Sequence, residues 1–123
     1  MAEGGARIVL QDLFRAGGNL GNFDWQPFHD GVEIHWLYSG DGNSACAALL
    51  RYLPGARVPH HRHVGFEHII VLSGMQADAY GEYPAGTVLI NAPESDHAVF
   101  SDTGCVVLAI WEKPVDIRQQ GGA

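Results

Sequence analysis

The stretch PGARVPHHRHVGFEHIIVLSG (residues 54–74) concentrates four of the seven histidines of the chain within nine residues, beside one glutamate. Side chains at even separations along an extended strand share one face. His61, His63 and Glu67 have this parity, so the sequence predicts that all three project to the same side if the strand bends at Gly65. Imidazoles that converge with a carboxylate form the ligand set of a borderline divalent metal ion.

A fourth ligand must come from elsewhere in the chain, and NAPESDHAVFS (91–101) supplies His97 at the start of a later strand. The alternative is that these histidines are surface residues or hydrogen-bonded core residues. That alternative must also explain the H-x-H spacing, the carboxylate at matching parity and the apolar run that follows. His60 and His68 have the opposite parity and are expected to point away from the site.

Short apolar runs separated by turn-forming residues must position these ligands. The chain of 123 residues contains 16 glycines and 6 prolines, a composition that favours strands joined by tight turns. Candidate strands lie at residues 32–39, 45–53, 66–74, 76–81, 87–92, 97–101 and 105–112. Short strands at this spacing predict an all-β sandwich or barrel, and no segment carries apolar residues at a helical period.

The order of these signals along the chain predicts a single domain. Residues 1–24 are interpreted as an N-terminal arm, 25–114 as the barrel domain and 115–123 as a C-terminal tail. Cys46 and Cys105 lie far apart in apolar runs. Both are therefore expected to be buried, reduced thiols that pack as small hydrophobic residues.

The charge of the chain opposes binding to nucleic acid. Fourteen acidic residues against seven basic residues give a formal charge of −7, and the basic residues are dispersed rather than grouped in a stripe. The N-terminus lacks the basic start and apolar run of a signal peptide, and no stretch approaches the roughly 20 apolar residues of a membrane span. We therefore expect a cytoplasmic protein that binds neither nucleic acid nor a membrane.

The spacing of the first cluster resembles the first motif of the cupin superfamily. Gly55, five residues, His61-x-His63, three residues, Glu67, six residues and Gly74 match that motif without a gap or substitution. The resemblance implies a double-stranded antiparallel β-barrel. It also implies that the two histidines and the glutamate are metal ligands inside the barrel mouth.

A second cupin motif is matched more loosely. The residues Gly86, Pro93, Ser95, His97 and Ser101 stand where cupins tend to show Gly, Pro, Gly, His and Asn. The proline is shifted by one position, and serines replace the second glycine and the asparagine. Gly86 and His97 keep the separation of the family, so the resemblance implies that His97 is the fourth metal ligand.

Three segments resemble a narrower group of small cupins. They are LLRYLPGARVPHHRHVGFEHIIVLSG (49–74), GEYPAGTVLINAPESDHAV (81–99) and GCVVLAIWEKP (104–114). This group is related to the C-terminal half of ChrR-type anti-sigma factors and includes proteins similar to acetylacetone and dihydroxyacetophenone dioxygenases. The resemblance implies one divalent metal ion per chain, with iron or zinc favoured over nickel or manganese. It places anti-sigma activity in a separate helical zinc domain, so we do not expect that role here.

The resemblance leaves three functions open. Four ligands leave positions of a five- or six-coordinate ion free, as an iron(II) oxygenase requires. The leading hypothesis is therefore a metal-dependent dioxygenase that acts on a small oxygen-bearing molecule such as a diketone. The alternative is a non-catalytic zinc-binding sensor or regulatory module of the ChrR type. A third is a cupin-type isomerase or lyase, for which the sequence identifies no general base.

Several residues near the motifs are candidates for supporting roles. Arg51 and Arg57 flank the first motif and are candidates to bind a substrate carboxylate. Asp96 adjoins His97 and is a candidate to orient it, although adjacent strand residues face opposite sides. Trp111 is expected to pack inside the barrel.

A second copy of the chain is the expected protein partner. The apolar segment ARIVLQDLF (6–14) is suited to add to the sheet of a neighbour, because an unpaired edge strand attracts another chain. We predict a C2 homodimer with this arm or the outer face of a sheet in the interface.

Overall fold

Nine β-strands and one short helix form the described part of the chain. The computed structural model describes residues 7–16, 20 and 23–114, so the predicted C-terminal tail and parts of the N-terminal arm lie outside the described residues. The helix α1 comprises Leu13–Ala16. The strands are β1 (Gln26–His29), β2 (Val32–Ser39), β3 (Cys46–Tyr52), β4 (Ala56–Arg62), β5 (Glu67–Asp78), β6 (Gly81–Pro84), β7 (Val88–Asn91), β8 (Asp96–Ser101) and β9 (Cys105–Trp111).

The long strand β5 links two antiparallel sheets into a nearly closed barrel. The strands pair in the order β1-β2-β3-β9-β5-β8-β4, and β6 and β7 both pair with β5. The first part of β5 pairs with β7 and β9, whereas its last part pairs with β6 and β8. This arrangement confirms the predicted all-β, double-stranded antiparallel β-barrel.

Apolar side chains fill the space between the two sheets. The interior cluster consists of Val32, Ile34, Cys46, Ala48, Leu50, Tyr52, Ala56, Val58, Ile69, Val71, Val99, Cys105, Val107, Ala109 and Trp111. A second cluster on the outer face of β3, β5 and β9 joins Leu49, Leu72 and Val106 to Leu20. The indole of Trp25 donates to the carbonyl of Leu20 at 2.7 Å. Part of the predicted N-terminal arm therefore packs against the outside of the barrel.

β5 joins most of the predicted strand 66–74 to the first half of the predicted strand 76–81 without a break. Gly74 adopts a φ of +73°, and the pairing of β5 with β9 shifts register between Val71 and Ser73. A bulge and a left-handed residue bend a strand without ending it, so β5 passes from one sheet into the other. The sequence pattern instead ends one predicted strand at Gly74 and begins the next at Gln76.

β4 is absent from the predicted strands, although it carries His61. The segment LPGARVP (53–59) contains two prolines and a glycine, which indicate a loop. In the structure, Pro59 lies where the pairing of β4 with β8 shifts register, between Val58 and His61. Proline is tolerated in a strand at such an irregularity, because the ladder needs no N–H there. The four-residue strands β1 and β6 are also missed by the sequence pattern.

Two predictions from composition concern the thiols and the membrane. Cys46 and Cys105 are buried free thiols, as predicted. Within the described ranges, no helix is long and apolar enough to cross a membrane.

Three apolar side chains of the N-terminal segment face solvent. Ile8, Val9 and Phe14 are more than half exposed. Exposed apolar groups on this segment are compatible with the proposed role of the arm in a homodimer. The dimer stays a prediction.

Candidate metal centre

Three histidines and one glutamate converge inside the barrel. His61 lies on β4, His63 directly follows that strand, Glu67 begins β5 and His97 lies on β8. Their exposed fractions are 3%, 1%, 5% and 8%, respectively. One possible ligand atom from each histidine lies within 4.8 Å of those from the other two. The structure therefore positions the three predicted histidines to bind a metal ion.

The pairing of β4 with β8 brings these histidines side by side. His61 is the direct cross-strand partner of His97, and their ring centroids lie 4.9 Å apart. The backbone N–H of His63 donates to the carbonyl of Ser95 at 2.9 Å. This contact holds the ring of His63 with its centroid 4.8 Å from that of His97.

Hydrogen bonds at Nδ1 orient His61 and His63. Nδ1 of His61 lies 2.8 Å from the carbonyl oxygen of Pro59, which can only accept, so this nitrogen carries the proton. Nδ1 of His63 lies 3.0 Å from Oγ of Ser95. The Ser95 hydroxyl donates to the carbonyl of Ala92 at 2.5 Å, which leaves Oγ as the acceptor for His63. Both imidazoles therefore carry the proton on Nδ1 and direct the Nε2 lone pair into the site.

A carboxylate lies beside Nδ1 of His97. Oδ2 of Asp78 lies 3.3 Å from Nδ1 of His97, and only 6% of the Asp78 side chain is exposed. Burial acts to raise the pKa of Asp78, but hydrogen bonds from Tyr83 and Tyr80 and the contact with His97 outweigh it and lower this pKa. Because an ionised carboxylate can only accept, His97 also carries its proton on Nδ1.

Two buried nitrogen atoms at the centre lack hydrogen-bond partners. Among the residues that the structure describes, they are Nε2 of His63 and Nε2 of His97. These atoms lie 3.0 Å and 3.8 Å from Oε1 of Glu67, respectively, and neither forms a hydrogen bond with it. With the protons on Nδ1, two lone pairs face a carboxylate oxygen, and such groups repel unless a cation lies between them. The donor set fits a divalent ion such as zinc or iron.

Cross-strand neighbours hold the carboxylate of Glu67. Glu67 pairs with Asn91 on β7 and with Trp111 on β9. Nε1 of Trp111 donates to Oε2 at 2.6 Å, and Nδ2 of Asn91 donates to Oε1 at 2.9 Å. Burial acts to raise the pKa of Glu67, but contacts that include the hydrogen bond from the indole of Trp111 outweigh it, so this pKa is lowered. The sequence pattern assigns Trp111 to packing and misses Asn91, because parity does not identify cross-strand partners.

The stability of the metal-free protein should fall as the pH falls. Burial lowers the pKa of His61 and of His97 below the ordinary value of 6.5. Below a pH of about 6.5, these histidines bind more protons in the unfolded chain than in the native chain, so the free energy of unfolding decreases as the pH falls. We expect a lower urea midpoint for the chelated protein at about pH 5.5 than at about pH 7.5. The His97→Asn variant should show a smaller difference between its two urea midpoints, because one of the two buried imidazoles is removed. Equal urea midpoints of the wild type at both pH values would contradict the expectation.

The residues of opposite parity lie outside the centre. His60 is exposed and His68 is half-buried. Because adjacent residues on β8 face opposite sides, Asp96 points away from the centre. Its carboxylate lies 3.6 Å from Nε2 of His60. The carboxylate that contacts His97 belongs instead to Asp78.

The two candidate arginines make structural contacts. Nη2 of Arg51 lies 2.7 Å from Oε1 of Glu33, and its guanidinium lies 4.3 Å from the centroid of the Trp25 ring. The guanidinium of Arg57 lies 5.0 Å from the centroid of Phe100. The structure also has a small cavity whose wall includes His61 and His97, and neither arginine lines it.

Comparison with known protein families places the chain in one of them. A profile of the family described as the ChrR cupin-like domain matches residues 15–114. The chain belongs to the ChrR cupin-like family. The anti-sigma-E factor ChrR of Cereibacter sphaeroides is 32% identical over 101 residues, which cover 80% of this chain and 46% of ChrR. The chain thus spans about half the length of that relative.

Solved structures share the barrel of this ChrR-like cupin. A chain in the crystal structure of Rhodobacter sphaeroides SigE in complex with the anti-sigma ChrR has a TM-score of 0.67 at 31% identity, over 75% of this chain and 50% of that chain. An acetylacetone dioxygenase from Acinetobacter johnsonii has a TM-score of 0.72 at 15% identity, over 90% of this chain and 76% of that chain. Similarity at 15% identity shows a common fold and no more.

A small cavity adjoins the histidines of this ChrR-like cupin. Its volume is about 20 Å³, which is room for about one water molecule. The cavity is lined by Phe28, Leu50, Tyr52, Val58, His61, Glu67, Ile69, Gln76, His97, Val99 and Trp111. Apart from His61, Glu67 and His97, the lining residues with polar side-chain atoms are Tyr52, Gln76 and Trp111, and the remaining lining residues are apolar.

Proposed function

We propose that this ChrR-like cupin binds one divalent metal ion per chain and acts as a regulatory module. The proposed ligands are Nε2 of His61, His63 and His97 and the carboxylate of Glu67. The observation that carries the proposal is the pair of buried Nε2 atoms that face Oε1 of Glu67 without a partner in the described part of the chain. Iron or zinc is the favoured ion, and nickel or manganese also accept these donors.

The size of the cavity favours regulation over chemistry on an organic substrate. A space of about 20 Å³ admits a water-sized ligand. A diketone is several times larger and requires movement of wall residues such as Leu50 and Val99. We infer that the module responds to a water-sized molecule that reaches the ion.

The similarity to ChrR supports a protein partner for the module. That relative is an anti-sigma factor, and the similar chain of known structure belongs to a complex with SigE. We propose that the metal-loaded barrel acts in the cytoplasm as the regulatory partner of another protein and does not itself supply the anti-sigma activity. The predicted homodimer is compatible with this role.

A metal-dependent dioxygenase is the second candidate. The cavity is lined by His61, Glu67 and His97, so a small ligand inside it would lie beside three of the residues that would hold the ion. A bound iron(II) ion would supply Lewis acidity and activation of dioxygen. The chain would contribute a fixed negative charge at Glu67 and an apolar wall, with Leu50 and Val99, that excludes bulk water from a small oxygen-bearing substrate.

Metal content and oxygen consumption distinguish the two candidates. The protein is purified without chelators or a metal-affinity column and analysed by mass spectrometry, with about one metal ion per chain expected. Bound zinc, with no oxygen consumption by the iron-loaded protein on a panel of small diketones, supports the regulatory module. Bound iron with oxygen consumption coupled to product supports the dioxygenase. No bound metal, even after addition of zinc or iron, contradicts both.

A further inference from the structure

The hairpin between β5 and β6 places a carboxylate behind one of the proposed ligands. Asp78 ends β5 and pairs with Gly81 across a two-residue turn. Its Oδ1 accepts from the backbone N–H of Tyr80 at 2.9 Å and from the hydroxyl of Tyr83 at 2.8 Å. Its Oδ2 faces Nδ1 of His97 at 3.3 Å. One oxygen is therefore fixed by two donors while the other is held toward the imidazole.

We propose that Asp78 is a positioning residue that fixes the tautomer and orientation of His97 for metal binding, with Tyr83 holding the carboxylate in place. The inference rests on the proposed function. His61 and His63 donate to a carbonyl and a hydroxyl, so the acceptor of His97 is the one ionised group among the three. A carboxylate partner makes a histidine a better metal ligand, because it stabilises positive charge on the ring and fixes the free nitrogen.

A purely structural role in the turn is the competing explanation. The bond from Tyr80 to Asp78 is of the kind by which aspartate and asparagine stabilise turns. The Asp78→Asn substitution separates the two roles. The amide oxygen of the new asparagine can still accept hydrogen bonds from Tyr80 and Tyr83, so its NH2 group would face Nδ1 of His97. That nitrogen must then accept, and the proton moves to Nε2, where it blocks the proposed metal ligand.

Zinc affinity gives the first test. Asp78→Asn is expected to raise the Kd for Zn²⁺, measured by competition with a chromophoric chelator, by about 10- to 100-fold. Asp96→Asn is the matched control, because it removes one carboxylate next to His97 in sequence that contacts His60 instead. The control should bind zinc as the wild type does. Equal affinity of a folded Asp78→Asn variant and the wild type would overturn the proposal.

The tautomer of His97 in the metal-free protein gives a second, independent test. Long-range ¹H–¹⁵N NMR spectra should show the proton on Nδ1 in the wild type and in Asp96→Asn, and on Nε2 in Asp78→Asn. A wild-type ring protonated on Nε2 would overturn the proposal even if the Asp78 variant does not fold. A wild type that binds no metal but keeps the Nδ1 proton would refute the metal-binding function and leave the contact of Asp78 intact.

Discussion

The His61→Ala variant is expected to bind zinc about 100-fold more weakly than the wild type, or not at all. Four-ligand zinc sites supply about 10–16 kcal/mol of binding free energy, on the order of 3 kcal/mol for each ligand. About 1.4 kcal/mol corresponds to a tenfold change in Kd. His61 is 3% exposed, its Nδ1 is hydrogen-bonded to the carbonyl of Pro59, and it offers a ligand atom within 4.8 Å of those of His63 and His97.

The neighbouring residue provides the control for this prediction. His60→Ala removes an imidazole one position earlier, whose side chain is 63% exposed. This variant should retain the affinity of the wild type. Zinc titrations measure Kd, circular dichroism verifies the fold, and thermal unfolding shows whether zinc still stabilises each variant. Equal losses in both variants, or no loss in His61→Ala, would contradict the assignment of the centre.

The Gly74→Ala variant is expected to lose about 4 kcal/mol or more of its free energy of unfolding. A Cβ atom at this position would lie 2.1 Å from the carbonyl oxygen of Gly104 and 2.8 Å from Cα of Cys105. Both atoms belong to the backbone next to or within β9, and Gly74 pairs directly with Cys105. Relief of the clash therefore requires β5 and β9 to separate at the point where β5 changes sheets.

Gly86→Ala separates the steric clash from the cost of backbone conformation. Gly86 also has a positive φ, +94°, but a Cβ atom there would meet nothing within 4 Å. Its substitution should cost only about 1–2 kcal/mol, the penalty of a left-handed conformation. Urea unfolding of both variants gives the free energies, provided that the m value is unchanged. Similar costs for the two substitutions would contradict the prediction. They would show that β9 can move away from residue 74 and that the close contact between the two backbones is not essential.

Local patterns predicted much of the fold because strand alternation and turn residues act over a few positions. The strand predicted at 32–39 coincides with β2, and that predicted at 105–112 differs from β9 by one residue. Two of the errors lie beside bulges. The sequence divided β5 at Gly74 and read the start of β4 as a loop because of Pro59, although long-range pairing carries both strands through these residues.

The side chains around the ligands were predicted less well than the ligands themselves. Adjacency in sequence made Asp96 a candidate to orient His97, yet the contact comes from Asp78, 19 residues away. Trp111 was expected to pack in the barrel, and it also donates to Glu67 from 44 positions away. Both contacts depend on which strands lie side by side, which no local pattern specifies.

The sequence by itself determined the all-β class and the shared face of His61, His63 and Glu67, because alternation along a strand is a local property of its backbone. The resemblance to cupins added the barrel and the placement of these ligands inside it. Only the tertiary structure decided that His97 lies opposite His61 and that Asp78 lies behind His97. Register between strands distant in sequence depends on the pairing of whole segments, and one bulge changes which side chains meet.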